Sequence, residues 1–370
     1  MPENETFWNP YRLVPIRDQI HREAPQRHQR FVGKCGTIKC TLLNLTPLFI
    51  GRQSFGQMHP PFEREGQYAI PGSSLKGMLR TLVEIVGGGC FAVQDRSTRV
   101  PAQFRACDKV DHLCIACRMF GAMERGSGAR VHLGKVCLGD AIIDDNQSCS
   151  FRKMKLYMAN KGVEHTPFYE SPHTDQCDGR SRKLYFHQPS RIEDNPKLPT
   201  AIERNAWPIT ALDVGHSFTF DVQFTNLTNE EFAILLYVLN LEDEVSVTIG
   251  DEKLELKGPM RHKIGNGKPF GLGSVEITVN SVKLQPDPAK RFTSLTRNAE
   301  SESIEGDTLA QFIDEQTQTI KNDTSPTMVG LRKMMVWDPN DPRIFKYPDY
   351  DWFQTDRNRN PQEKRRLKKL

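Results

Sequence analysis

Five residues between positions 90 and 117 carry the ligand chemistry of this sequence. They are Cys90, Cys107, His112, Cys114 and Cys117, the last two in a Cys-Ile-Ala-Cys run. Thiolate sulfur and imidazole nitrogen are the donors that zinc prefers, and a structural zinc takes four of them in a tetrahedron. One of the five is therefore surplus. The favoured set is Cys90, Cys107, Cys114 and Cys117, with His112 as the substitute for Cys90. A set of buried structural thiols is the plainer alternative. A redox pair fits less well, because no thioredoxin-like context surrounds the C-x-x-C.

Three further stretches suit phosphate. The first is Ile70-Pro-Gly-Ser-Ser-Leu-Lys-Gly-Met-Leu-Arg80. Ser73 or Ser74 is placed to cap a helix there, leaving unpaired backbone N–H groups at an electropositive end. Lys76 and Arg80 stand four apart, on one helical face. An ordinary capped helix with two solvated cations explains the same residues. The second runs from Lys263 to Ser274 and holds Gly265, Gly267, Gly271 and Gly273 with Lys268. Four glycines permit positive φ and close approach of another backbone. The spacing is not that of a Walker A loop, and a strand rather than a helix follows, so it is no dinucleotide fingerprint. It suits clamping a polynucleotide backbone, or forming a tight bulged hairpin. The third mixes Arg180, Arg182 and Lys183 with Tyr185, Phe186 and His187. Charge beside stacking faces binds single-stranded RNA, although an amphipathic strand has the same composition.

Hydrolytic chemistry has thin support. Neither G-x-S-x-G nor H-E-x-x-H occurs. His59, Glu63 and Glu65 sit together in one polar loop and are the only catalytic candidates; a solvated loop is the plainer account of them.

The elements that must position these groups follow from hydrophobic period. Ile38, Cys40 and Leu42 alternate with polar residues, as a half-buried strand does. Leu75, Met78, Leu79, Leu82 and Val86 then form a helical stripe ended by Gly87-Gly88-Gly89. Downstream, Phe218, Phe220, Val222 and Phe224 alternate again. Thr228 and Glu231 form a capping box before Phe232, Leu235, Leu236 and Leu239. A short strand is expected at Val245–Ile249 and another through Val275, Ile277 and Val279. Two strand–helix units with intervening strands predict an α+β, RRM or ferredoxin-like core. Residues 1–34 read as an N-terminal arm and 145–210 as an inserted subregion. After Pro286 regularity fades, apart from a short helix near Leu309–Ile320.

The chain has 370 residues, 37% hydrophobic and 26% charged, enough apolar material for a core. No run is long enough to span a bilayer and no secretory signal is visible, which with nine cysteines fits a reducing, cytoplasmic setting without a membrane. Net charge is only +4, from 50 basic and 46 acidic residues, so charge alone does not identify a nucleic-acid partner. The basic residues are uneven, however. Residues 357–370 hold seven Lys or Arg against Glu363, either a solvated tail or an arm along phosphates.

The ordered blocks Leu45-Thr-Pro-Leu-Phe-Ile-Gly51, Ile70–Arg80, Cys114-Ile-Ala-Cys-Arg-Met-Phe-Gly121, Asn226–Glu231 and Gly265–Val275 resemble the RAMP superfamily of CRISPR-associated proteins. The resemblance is specifically to backbone subunits of type III or type III-derived effectors, over roughly residues 31–280. The resemblance implies an RRM-like palm at 35–285, a zinc insert at 90–120, a thumb-like insertion at 145–210 and a C-terminal extension at 286–370. It implies copies stacked along a guide RNA that pairs with a complementary target RNA, beside other effector subunits. By position, Ser73, Ser74, Lys76, Arg80 and the Gly265–Gly273 loop match the parts that grip the guide backbone, and the cysteines resemble zinc-binding inserts. Slicing members carry an Asp in the loop after the first strand. Residues 51–67 hold none, so the expectation is a scaffold that leaves cutting to a separate nuclease. The alternative is an endoribonuclease that slices target or processes precursor guide.

Overall fold

A computed structural model describes residues 8–26, 28–51, 61–92, 100–144, 149–157, 181–189, 206–250, 253–285 and 302–345, with 355 and 358. We label the elements that matter below as β1 (Lys34–Asn44), β2 (Gln67–Ile70), α1 (Gly72–Val86), α2 (Ile115–Phe120), β3 (Ala141–Ile143), β4 (Ser217–Leu227), α3 (Asn229–Asn240), β5 (Val245–Ile249), β6 (Leu254–Gly258), β7 (Ser274–Leu284), α4 (Asp307–Lys321) and α5 (Pro326–Met335).

Alternation decides the sheet. In β1, Ile38, Cys40 and Leu42 are buried while Lys39 is exposed. In β4, Phe218, Phe220, Val222 and Phe224 are buried while Thr219, Asp221 and Gln223 face out. The strands pair antiparallel in the order β7-β1-β4-β3-β2. Val136–Leu138 pairs with β4 just before β3, so this strand is broken at Gly139–Asp140. Counting that broken strand as second, the core order is 4-1-3-2, the ferredoxin-like arrangement expected from the sequence. The helices α1 and α3 bury Leu75, Leu79, Leu82, Phe232, Leu235 and Leu236 in one core with the inner face of the sheet. Truncating a fully buried residue such as Leu235 costs about 2–5 kcal/mol. The outer face is polar. Thr278, Thr41 and Thr219 lie in register across it, and Lys39 stands opposite Asp221. Among the described residues it carries none of the aromatics with which an RRM sheet stacks bases.

The capping box at the start of α3 forms as its spacing predicts: Thr228 accepts from the Glu231 N–H at 3.1 Å, and Glu231 accepts from the Thr228 N–H at 3.0 Å. The inserted region is anchored by a ribbon, Phe151–Tyr157 paired with Ala206–Leu212. Met154, Leu156 and Ile209 of this ribbon make a second small core with Phe49 and Leu272. That core seats the ribbon against the glycine-rich loop. Most of the expected thumb, and the basic tail apart from Asn358, lie outside the described residues.

Two expectations need correction. The N-terminal segment is not merely a lead-in, because Tyr11–Pro15 pairs with Ser181–Tyr185 and Arg22–Glu23 pairs with Leu113–Cys114. Regular structure also does not fade after residue 286. Glu302–Glu305 adds to β7, α4 packs on α3, and α5 packs on Tyr11–Pro15. The signal for α5 is Ser325-Pro326, an N-cap serine before a proline at the first helical position; the Ser325 hydroxyl accepts from the Met328 N–H at 3.4 Å. Among the described residues no helix is long and apolar enough to cross a membrane.

Candidate metal centre and nucleic-acid interface

Four cysteines converge at the C-terminal end of α1. Cys90 follows the Gly87-Gly88-Gly89 turn that ends this helix, Cys114 is the N-cap of α2, and Cys117 lies in the first turn of α2. With Cys107 from the preceding loop, their sulfurs all lie within 4.8 Å of one another. The Cys90 and Cys117 sulfurs are 3.6 Å apart. Backbone N–H groups of Cys90 and Cys114 donate to the sulfurs of Cys114 (3.4 Å) and Cys107 (3.3 Å), as amides do around bound thiolates. Hydrogen bonding from Cys114 holds the Cys107 thiol well below its usual range, while the hydrogen bond with Cys107 drives Cys117 above it. Four sulfurs so disposed fit a tetrahedral metal, because only a cation lets all four deprotonate together. His112 is exposed and outside this group.

The charges beside the cysteines are matched. Arg80 donates to the Cys117 sulfur at 3.2 Å, to the Gly121 carbonyl at 3.2 Å and to Glu84 at 3.1 Å. Buried Glu84 also pairs with Arg182, which donates to the Cys90 carbonyl at 3.1 Å and lies 4.3 Å over the Phe91 ring. Burial pushes the Glu84 carboxyl up, and the two guanidiniums oppose that. Arg80 and Arg182 are thus brought to the cysteine centre rather than to the glycine-rich loop. No sequence pattern announced that destination, because Glu84 is separated from Arg182 by 98 residues.

The start of α1 differs from expectation. Its N-cap is Pro71 and neither serine caps it by side chain. Asp140 does the work instead: its carboxylate accepts from the Gly72 N–H at 2.7 Å and pairs with Arg64. The Gly72 N–H, and then Arg64, hold the Asp140 carboxyl below its usual range. Gly72 makes this possible, since a side chain there would strike the Leu138 and Gly139 carbonyls at the break in the second strand. Ser74 N–H bonds to the Pro71 carbonyl at 2.8 Å. Ser73 remains exposed, and Lys76 is partly exposed.

The glycine-rich loop is a folded cradle. Gly265, Gly267, Gly271 and Gly273 all have positive φ, from 73° to 87°. At Gly273 a side chain would run into the Ile264 carbonyl, and at Gly265 it would lie 2.6 Å from the Phe49 oxygen. Ile264 N–H bonds to Gly273 O at 2.8 Å, and Asn266 N–H to Phe49 O at 2.9 Å. Lys263 and Lys268 are both half-buried. The Lys263 amine donates to the Ser274 hydroxyl at 3.1 Å. Neither lysine has an ion-pair partner among the described residues.

The remaining candidates are dispersed. Lys183 sits 3.8 Å over the Tyr11 ring, and burial brings its amine down to about 8. Glu63 and Glu65 are exposed around a two-residue strand, Glu63–Arg64, and Glu65 has φ 52°. His59 and Arg180 lie outside the described residues.

A family model described as the RAMP superfamily matches residues 41–276, from the last residues of β1 through the first residues of β7, and so takes in both sites. No curated protein matches the chain.

Proposed function

The chain belongs to the RAMP superfamily, and from that premise we propose that it is an RNA-binding backbone subunit of a CRISPR effector. In this reading the glycine-rich loop grips the phosphate backbone of a guide RNA and leaves the bases free to pair with a target RNA. Copies of the chain stand side by side along that guide with other effector subunits. The observation that carries the reading is the pair Lys263 and Lys268, two half-buried cations without acidic partners among the described residues, in a loop whose four positive-φ glycines let a backbone come close. Phosphate contacts of this kind position a strand and carry no sequence information. Lys76 at the exposed start of α1 adds a further cation. Ser73 has the remaining role at that helix start, since Asp140 already holds the Gly72 amide.

The cysteine centre has a structural part. Cys90, Cys107, Cys114 and Cys117 would hold zinc, which supplies four bonds that cross-link α1, the 100–113 loop and α2. This chain's own groups then orient the ligands: two amides and the Arg80 guanidinium donate to sulfur, as outer-shell donors do in such centres.

Cleavage of target is assigned elsewhere. Slicing requires a carboxylate or an equivalent base beside the scissile phosphate. Glu63 and Glu65 are the described acidic candidates of the loop after β1, and they stand in the open beside Arg64. The test is the purified chain loaded with guide and mixed with labelled target and Mg2+. Tight, length-dependent target binding without cuts supports the reading. Regularly spaced cuts that vanish in Glu63→Ala or Glu65→Ala replace it with the endoribonuclease.

A further inference from the structure

Large apolar side chains left in water gather at two places. Nine are exposed among the described residues, and five of them, Phe31, Val32, Met123, Val131 and Leu133, stand together. Met123 and Val131 face each other across a short hairpin, Ala122–Met123 with Val131–His132, and Leu133 follows two residues beyond Val131. The N-terminal segment runs beside this hairpin. The His28 ring bonds to the Leu133 carbonyl at 3.1 Å and lies 6.0 Å from the His132 ring. Val32 N–H donates to the Asn226 side-chain oxygen at 2.9 Å, and the Lys135 amine donates to the Asn226 carbonyl at 3.3 Å. The patch therefore lies at the Leu227 end of β4. At 68% and 67% exposure, Met123 and Leu133 gain little from their own fold. The second place is the Ser217 end of the same strand. Phe151, at the base of the inserted ribbon, and Val214, just past its other strand, are exposed there. The Tyr68 ring packs on Phe151 at 4.8 Å, and Asp213 N–H bonds to the Ser150 carbonyl at 2.9 Å. The eleven residues of β4 hold the two places about 30 Å apart.

The rims of the two places differ in sign. Arg30 and Arg125 are exposed at the first, and Glu63, Glu65 and Asp144 are exposed at the second. Arg130, Arg64 and Arg152 are answered within the chain, by Glu124 and Asp111, by Asp140 and by Asp213. An apolar centre edged by charge is the make-up of a protein interface. A patch that met its own kind would set arginine against arginine, or carboxylate against carboxylate. Each place instead complements the other. Because they stand at opposite ends of one strand, a single molecule cannot bring them together. We propose that the first patch of one copy seats on the second patch of the next, a head-to-tail contact between copies of this chain. A contact of two unlike patches runs on as an open filament unless its rotation closes a ring. The inference rests on the reading above for the copies that line a guide, and it names the surfaces by which they meet. The contact itself needs no RNA.

The experiment is sedimentation velocity of the full chain over a range of concentrations, alone and on a long uridine oligoribonucleotide. Two variants, Leu133→Asp and Val214→Asp, each put a carboxylate into one apolar centre, where its burial is costly. Both positions are exposed, and metal content and melting temperature establish that each variant is folded. Wild type forms a series of growing species and fills the RNA cooperatively. Each variant by itself associates at least about tenfold more weakly. Mixed together, the two variants stop at a dimer, because each keeps one intact patch and the two intact patches differ. Growth that persists in either variant overturns the proposal, since a patch that meets its own kind needs only that patch. A wild type that stays monomeric alone and fills the RNA without cooperativity overturns it too, and leaves the backbone grip intact. Growth without RNA, in a chain that binds none, supports the contact and overturns the grip.

Discussion

The cysteine centre and the glycine-rich loop are both irregular, half-buried and rich in charge, yet they arrange that charge oppositely. Around the cysteines each charged side chain described above is matched. Arg80 has three partners, Glu84 has two guanidiniums, and Arg182 has Glu84, a carbonyl and an aromatic face. In the loop, the Lys268 amine has no hydrogen-bonding or acidic partner among the described residues, and the Lys263 amine has only a hydroxyl. Burying a charge costs several kcal/mol unless something answers it. A region that answers all of its charges internally holds itself together. One that leaves cations unanswered is arranged to hold something else.

The largest effect should come from the first region. Cys114→Ser with Cys117→Ser removes two of four thiolates, and metal-binding free energy in such sites is on the order of 10 kcal/mol. The variant should lose its metal by elemental analysis and melt earlier, with hydrogen exchange rising first at residues 90–120. An unchanged melt with no metal in the wild type would reduce the cluster to buried thiols. Glu84→Gln comes next. It leaves the partly buried Arg80 and Arg182 without their buried counter-ion, at a cost of up to about 3–5 kcal/mol in urea unfolding. RNA affinity should hold within a few-fold, which separates the two regions.

In the second region Gly273→Ala forces a side chain into φ 75° and against the Ile264 carbonyl. Strain of this kind costs about 1–3 kcal/mol. The variant should keep its metal yet lose most RNA affinity, the converse of Glu84→Gln. Loss of metal alongside affinity would mean the two regions are not separable. Lys76→Ala should act least, by less than tenfold, since a single exposed phosphate contact is lost.

The same contrast explains what could be read from the sequence. The β1 and β4 alternations, the Thr228–Glu231 capping box and the four cysteines are local patterns, and each was legible. The Cys114-x-x-Cys117 spacing singled out the right neighbourhood because ligand chemistry constrains it. The polar partnerships were not legible. Asp140 reaches Gly72 only because the second strand breaks at Gly139, and Arg80 turns toward Cys117 rather than staying beside Lys76. Helical period places Lys76 and Arg80 on one face, but long side chains reach in different directions from that face. The helix α5 is hard to read for another reason: its hydrophobic stripe is interrupted by Gly330, Arg332 and Lys333, and its Ser325-Pro326 start stands among polar neighbours.

The salt dependence of RNA binding is the most direct test of a phosphate grip by the glycine-rich loop. Kd should be measured from low to moderate salt for two single-stranded RNAs of unrelated sequence, with wild type and Lys268→Ala. A sequence-blind phosphate grip predicts the same affinity and slope for both RNAs, and a slope smaller by about 1 in Lys268→Ala. A strong preference for one RNA, or a slope that the substitution leaves untouched, would contradict it.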